Sequence, residues 1–322
     1  MNLATQYLGL RLRSPFIVGA SPFCDNVDLA RALEEAGAGA LVMRSLFEEQ
    51  IDPAPRPVFV RPGELAYYPD VADYQLSPEN YLRQLALLKQ TLSIPIFASL
   101  NGTRPGMWIE FASCLESAGA DAIELNFYRV VTDVSVAADR IEIEMLETVG
   151  LIAEAVSIPV AVKLSPFHTA LTQLAVGLEL AGASGLVLFN RFLQPDVDTG
   201  RLEVHPHLQL SSREEILLRL RWLAILSPNL RGSLGATGGF HCADDAVKAF
   251  LTGANAVQVV SVLLSHGPAV LTTFLRGLET WMRAHGYAAL EEFRGRLNLE
   301  GCGNPSAFER ANYIRTLQSW KG

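Results

Sequence analysis

Cysteine is scarce in this 322-residue chain, and the four thiols do not cluster. Cys24, Cys114, Cys242 and Cys302 include no C-x-x-C pair, which excludes the usual zinc-ribbon and iron–sulfur spacings, so no metal site is expected. A disulfide framework is not expected in a chain of this size either, and the cysteines read as free thiols. Positive charge is also in short supply. The 26 Lys and Arg against 34 Asp and Glu give a formal net charge of −8, which argues against nucleic acid as a partner. Charged or polar residues interrupt every apolar run before it is long enough to span a membrane. Met1–Tyr7 has no basic segment followed by an apolar core, so no secretory signal is expected and the cytoplasm is the expected compartment.

What is present is a repeat. A Gly-Ala corner recurs as Ala36-Gly-Ala-Gly-Ala-Leu-Val-Met43, Ala118-Gly-Ala-Asp-Ala-Ile-Glu-Leu125, Ala181-Gly-Ala-Ser-Gly-Leu-Val-Leu188 and Thr252-Gly-Ala-Asn-Ala-Val-Gln-Val259. Each copy follows an amphipathic helical stretch and leads into a short apolar strand. The glycine suits a left-handed helix cap, and the alanines permit close helix–strand packing. Alternate corners read Ser93-Ile-Pro-Ile-Phe-Ala-Ser-Leu100 and Ser157-Ile-Pro-Val-Ala-Val-Lys-Leu164. With Phe16–Ser21 and Ser233–Thr237 these make eight strands, ending near Ser21, Arg44, Leu100, Asn126, Lys163, Asn190, Thr237 and Ser261.

Eight strands alternating with helices predict an α/β fold, a (β/α)8 TIM barrel. The rival, a doubly wound open sheet, lacks a Gly-x-Gly-x-x-Gly after the first strand. Residues 1–286 are expected to form the barrel, with residues 287–322 a C-terminal helical extension packed on it. Long loops are expected after strands two, four and six, at residues 46–77, 127–139 and 191–212. The first carries several prolines and Tyr67-Tyr68, and the third holds Asp196-Val-Asp-Thr-Gly200, with turn chemistry between apolar flanks. Loops of such length are usually lids or binding loops.

Barrel chemistry sits at the C-terminal strand ends. Lys163, at the end of strand five, is either a fixed cation or Schiff-base amine placed by a rigid strand, or a rim lysine paired with Glu124. Asn126 and Asn190 end the strands on either side and suit recognition of a planar heterocycle. Gly238 and Gly239 in Thr237-Gly-Gly-Phe-His-Cys-Ala-Asp-Asp245 let backbone approach an anion, with a helix N-terminus behind them. Ser261 adds a hydroxyl. The small pair Ala20 and Ser21 lets a flat ring lie against backbone. Arg44 contacts a ring, a phosphate or an acidic substrate, or pairs with Glu48 or Glu49. Tyr128 and His168 are candidate acids or bases, and each is also an ordinary loop residue.

Taken together these residues resemble the dihydroorotate dehydrogenase family of FMN-dependent barrels. The likeness runs from about Leu8 to Pro268, through Ser14-Pro-Phe-Ile-Val-Gly-Ala-Ser21, Glu124-Leu-Asn126, Val160-Ala-Val-Lys-Leu164, Asn190, Gly238-Gly-Phe240 and Gly253-Ala-Asn-Ala-Val-Gln-Val259. Ala98-Ser-Leu-Asn-Gly102 and Phe308-Glu-Arg-Ala-Asn-Tyr313 resemble a diverged, dihydroorotate dehydrogenase-like branch. The resemblance implies an FMN-dependent oxidoreductase acting on CH–CH groups of a small, planar substrate, with pyrimidine biosynthesis as the family setting. It implies that Lys163 balances charge on the reduced flavin and that Ala20 and Ser21 lie along the ring. Asn126 and Asn190 would contact flavin or substrate, and Gly238, Gly239 and Ser261 would hold the phosphate. It also admits a homodimer.

Three positions depart from the family pattern. Phe127-Tyr128-Arg129-Val130 replaces the Ser- or Cys-Pro-Asn motif that carries the base, which argues against ordinary dihydroorotate oxidation. Arg44 stands where the family has lysine, and Tyr67-Tyr68-Pro69-Asp70 where it has a substrate-binding asparagine. Two other readings follow from the same residues: a Schiff-base lyase or aldolase using Lys163, or a flavin-binding barrel without turnover.

Overall fold

The computed structural model describes residues 1–51, 76–102, 107–191, 194–309 and 311–319. Its centre is a closed, all-parallel barrel of eight strands. In chain order the strands are Phe16–Val18, Ala40–Phe47, Ile96–Asn101, Ala122–Asn126, Val160–Leu164, Gly185–Leu188, Ser233–Thr237 and Ala256–Val259. The first and eighth pair and complete the ring, so the open-sheet alternative fails.

The Gly-Ala corners close helices as their composition predicts. Gly37, Gly119, Gly182 and Gly253 all take positive φ, from 98° to 118°. After each, the alanine N–H reaches back to a carbonyl five residues earlier, as in Ala38 N to Leu33 O at 3.1 Å and Ala254 N to Ala249 O at 2.9 Å. This is the hydrogen-bond pattern of a left-handed helix stop. A Cβ on these residues would meet the conformational penalty that glycine avoids.

Strand alternation divides the core in two. One set of side chains, including Val162, Leu164, Ile123 and Leu186, packs outward against the helices. The other set points into the barrel, where Ile17, Phe97, Ala122, Ala161, Val187 and Ala256 form an apolar floor. A feature absent from the sequence reading seals that floor. Thr5–Tyr7 and Leu10–Leu12 form a small antiparallel hairpin, with Leu8 and Gly9 at φ 54° and 76° in its turn. Its Tyr7, Leu8 and Leu12 are buried against the floor residues. Two strands of three residues are too short for period-two alternation to be legible.

The loops expected after strands four and six are present. The latter becomes an exposed hairpin, Gln194–Asp198 with Glu203–His207, whose turn is held by Asp198 Oδ1 accepting from Gly200 N (2.8 Å) and Arg201 N (2.9 Å). After strand two the chain continues as a short helix, Glu48–Ile51. The remainder of that expected loop, with Tyr67, Tyr68 and most of its prolines, lies outside the described residues.

The last barrel helix is Val270–Ala284, and the tail adds short turns and the helix Ala311–Gln318. Backbone bonds from Gly295 N to Phe250 O (2.9 Å), Leu297 N to Leu251 O (2.8 Å) and Leu299 N to Ala224 O (2.9 Å) fasten the tail's first part to two barrel helices. Phe293 and Leu290 are buried there. Among the described residues no helix is long and apolar enough to cross a membrane.

Candidate active site at the barrel mouth

The barrel interior changes character above its floor. Glu124, Lys163 and Gln258 are neighbours in successive inward positions, and all three are buried. Lys163 Nζ donates to Glu124 Oε1 at 3.1 Å and lies 3.5 Å from Gln258 Oε1. Gln258 Nε2 donates to the second Glu124 oxygen. The carboxylate thus binds both neighbours, and the lysine is fixed. The pairing of Lys163 with Glu124 that sequence parity allowed is realised, with Gln258 as an unanticipated third member. Beneath it, Tyr7 Oη is buried with no hydrogen-bond partner among the described residues. Burial, and then the charge of Glu124, push its pKa well up.

Lys163 is also the junction of two cavities. The larger, about 460 Å³, is lined by Ala20, Ser21, Arg44, Asn126, Tyr128, Lys163 and Asn190. The second, about 250 Å³, is lined by Ala20, Lys163 and Asn190 again, together with Gly238, Gly239, Gln258 and Ser261. Ten of the eleven candidate residues therefore converge on adjoining spaces at the C-terminal strand ends. The larger falls within the roughly 300–1,000 Å³ of small-molecule sites, and the smaller adjoins it at Lys163.

Inside these spaces three buried polar atoms lack a hydrogen-bond partner among the described residues: Asn126 Oδ1, Asn190 Nδ2 and Arg44 Nε. Each such atom costs about 1–3 kcal/mol if left unpaired. One acceptor and two donors of this kind fit a ligand with a polar heterocyclic edge.

The smaller cavity has a glycine floor. Gly238 and Gly239 take φ of 87° and 89°. A Cβ on Gly239 would stand 2.6 Å from Ile216 Cγ2 and 2.8 Å from Ile216 N, so only glycine fits. Beneath Gly238 lies a residue that sequence reading missed. The buried Arg219 donates from Nε to Thr237 O at 3.0 Å and from Nη1 to Glu215 O at 2.8 Å. Burial pulls its pKa down, partly offset by Glu215. It is a cation built under the turn. Opposite, Ser261 Oγ accepts from Ser211 N at 3.1 Å and is 2.9 Å from Ser211 Oγ. These serines come from loops far apart in sequence, which hid their pairing.

Three expectations are refined by the contacts. The helix after the Gly-Gly turn carries its own carboxylate at its start: Asp245 accepts from His241 N (3.0 Å) and Cys242 N (3.1 Å) and pairs with Arg213 at 2.7 Å. A side-chain carboxylate already fills the cap. Arg44 pairs with Asp25, a partner not expected from the sequence. The short 3₁₀ turn Pro22–Asp25 brings Asp25 to it. Its backbone N–H donates to Cys24 Sγ at 3.2 Å, and burial pushes the Cys24 thiol up to about 12.

His168 is the third. It lines neither cavity around Lys163, but a separate one of about 530 Å³ with Phe127, Arg129, Glu142 and Met145. Burial holds its imidazole below the usual range. Position five residues beyond Lys163 in sequence did not bring it to the mouth, because Ser165–Thr169 turns outward over the helix Ala138–Ala155. Arg129, in the same wall, is tied to Glu144 at 2.7 Å.

Comparison with known proteins gives the same direction. No family model matches the chain. A protein of Aeropyrum pernix, provisionally named dihydroorotate dehydrogenase A (fumarate), is 29% identical over 308 residues, covering 91% of this chain and 97% of its own. The catalytic subunit of dihydroorotate dehydrogenase B (NAD(+)) from Methanothermobacter thermautotrophicus is 25% identical, covering 91% and 97%. A chloroplastic dihydropyrimidine dehydrogenase (NADP(+)) of Arabidopsis thaliana is 25% identical over 91% of this chain and 76% of its own. Over about nine-tenths of its length, the chain is similar to proteins named dihydroorotate dehydrogenase.

Proposed function

We propose that the chain is an FMN-dependent oxidoreductase acting on a small planar substrate with a CH–CH bond. The observation that carries this is the pair of cavities joined at Lys163: one with orphaned amide and guanidinium atoms for a heterocycle, the other with a glycine turn over Arg219 for a phosphate. The relatives' names, all dehydrogenases of reduced pyrimidines, support the reaction class.

The residues fit FMN. Ala20, Ser21, Arg44, Asn126, Lys163 and Asn190 would hold the ring, and Gly238, Gly239 and Ser261 the phosphate. FMN bound there supplies a hydride acceptor and donor. The rest of the work falls to the protein. Lys163 holds a positive charge at the junction, kept in place by Glu124 and Gln258, so no reorganisation is needed when negative charge develops nearby. Arg219 and Arg191, which share Glu215, favour a dianionic group at the small cavity. Asn126 and Asn190 orient the bound ring through atoms that have no partner among the described residues. Tyr128, in the larger cavity's wall, is the candidate to exchange a proton with substrate.

The Schiff-base reading is disfavoured by the same geometry. Lys163 is directed at a carboxylate and a carboxamide oxygen, the surroundings of an ammonium, whereas imine formation needs an uncharged amine facing a carbonyl. Titration of the protein with FMN and with riboflavin, followed by flavin fluorescence, tests the proposal. FMN should bind far more tightly than riboflavin, since the small cavity serves the phosphate. Equal affinities, or none, would overturn it.

A further inference from the structure

The hairpin after the sixth strand carries a second, unrelated constellation. Asp196 on its first strand lies directly opposite His205 on its second. His207 follows two residues later, and alternation puts it on the same face. The chain has only six histidines, and two of them meet this carboxylate. One ligand atom from each of the three residues lies within 4.8 Å of the others. The imidazole planes stand at 87° with centroids 6.5 Å apart, so each ring can turn one nitrogen inward without stacking on the other. Asp196 Oδ1 accepts from Val197 N at 2.8 Å, which orients the carboxylate and leaves Oδ2 for a ligand.

We propose that Asp196, His205 and His207 form a binding site for a divalent transition-metal cation. Two imidazoles and one carboxylate are borderline donors that favour Zn²⁺ and its neighbours over Mg²⁺ or Ca²⁺. Atoms bound to one zinc at about 2.0–2.1 Å stand roughly 3.4 Å apart in a tetrahedron, so rotation of exposed side chains by about an ångström closes the set. Water completes the shell, because all three residues are exposed.

The ladder of five residue pairs and the Asp198 turn hold the strands in register, so the backbone frame of the site is in place before metal arrives. A bound cation ties one strand to the other. The hairpin's end runs directly into Leu208–Ser211, which wall the smaller cavity, and the cation would steady that wall. Sequence spacing alone could not reveal this, since His-x-His gains its third ligand only across the turn. The site stands whether or not the barrel mouth takes FMN.

The test is equilibrium dialysis of chelator-stripped, full-length protein against Zn²⁺, with bound metal measured by mass spectrometry. One equivalent should bind. The double variant His205→Gln/His207→Gln, and Asp196→Asn separately, should lose at least ~10-fold in affinity, since even partners behind a metal ligand cost about 10–100-fold. Glu203→Gln on the same hairpin should change nothing. Thermal unfolding of the stripped proteins should coincide, because these side chains are exposed. No stoichiometric Zn²⁺ in the unmodified protein, or unchanged affinity in the double and Asp196 variants, would overturn the proposal.

Discussion

Replacing Glu124 by Gln probes the polar layer that fixes Lys163. The substitution keeps the shape and removes the charge, and one of the two accepting oxygens becomes a donor facing Lys163 or Gln258. The side chains of the pair are only 9% and 2% exposed, so water cannot repair the loss. Breaking a buried pair from one side costs about 3–5 kcal/mol. For 322 residues, an unfolding entropy of about 2.1 cal/mol/K per residue gives about 0.7 kcal/mol/K, hence a melting temperature lowered by about 4–7 °C. Calorimetry of the FMN-free protein reads this directly. Adding Lys163→Met to Glu124→Leu should recover most of the loss, since no buried charge is then unpaired. A single Glu124→Gln variant melting within about 1 °C of the parent would refute the reasoning, because that corresponds to less than ~1 kcal/mol.

Further outcomes follow from the same contacts. Gly239→Ala forces a Cβ into Ile216 at positive φ and should cost roughly 1–3 kcal/mol, together with FMN affinity, in parallel melting and titration experiments. Burial alone would raise the Asp245 pKa, but Arg213 and the N–H groups of His241 and Cys242 hold its carboxyl below the usual range. Its contribution to stability is therefore full above the unfolded carboxyl pKa of about 3.9 and is lost as pH falls from there through the depressed native value. Asp245→Asn should melt lower at neutral pH and lose part of the acid limb of the melting profile. Tyr128→Phe should leave FMN bound and slow its reduction by substrate about 10²–10⁴-fold if the hydroxyl exchanges the proton, as measured by stopped-flow absorbance.

The barrel was legible because its signals are local. A Gly-Ala corner uses backbone geometry that only a few residues decide, and each of the four copies stops its helix in the left-handed conformation. The strand ends carrying Asn126, Lys163 and Asn190 followed from counting those corners. What escaped were contacts between distant segments. The Arg44 partner Asp25 sits in a short turn on a neighbouring strand end, and Arg219 is one of two arginines on the otherwise apolar helix Ile216–Leu226, with no pattern to single it out. The Asp245 cap was readable in principle, since Cys242 and Asp245 have the spacing of a capping box. Cysteine is an uncommon first member, which obscured it. His168 was not legible because nearness in sequence to Lys163 is not nearness in space: it lines a different cavity.

The central claim is that the two cavities at Lys163 form one FMN site. The absorption spectrum of the purified protein, incubated with FMN and freed of excess, tests it most directly. The account predicts the visible bands of an oxidised flavin at one equivalent per chain, bleached on reduction. A protein that stays colourless after that treatment would contradict it.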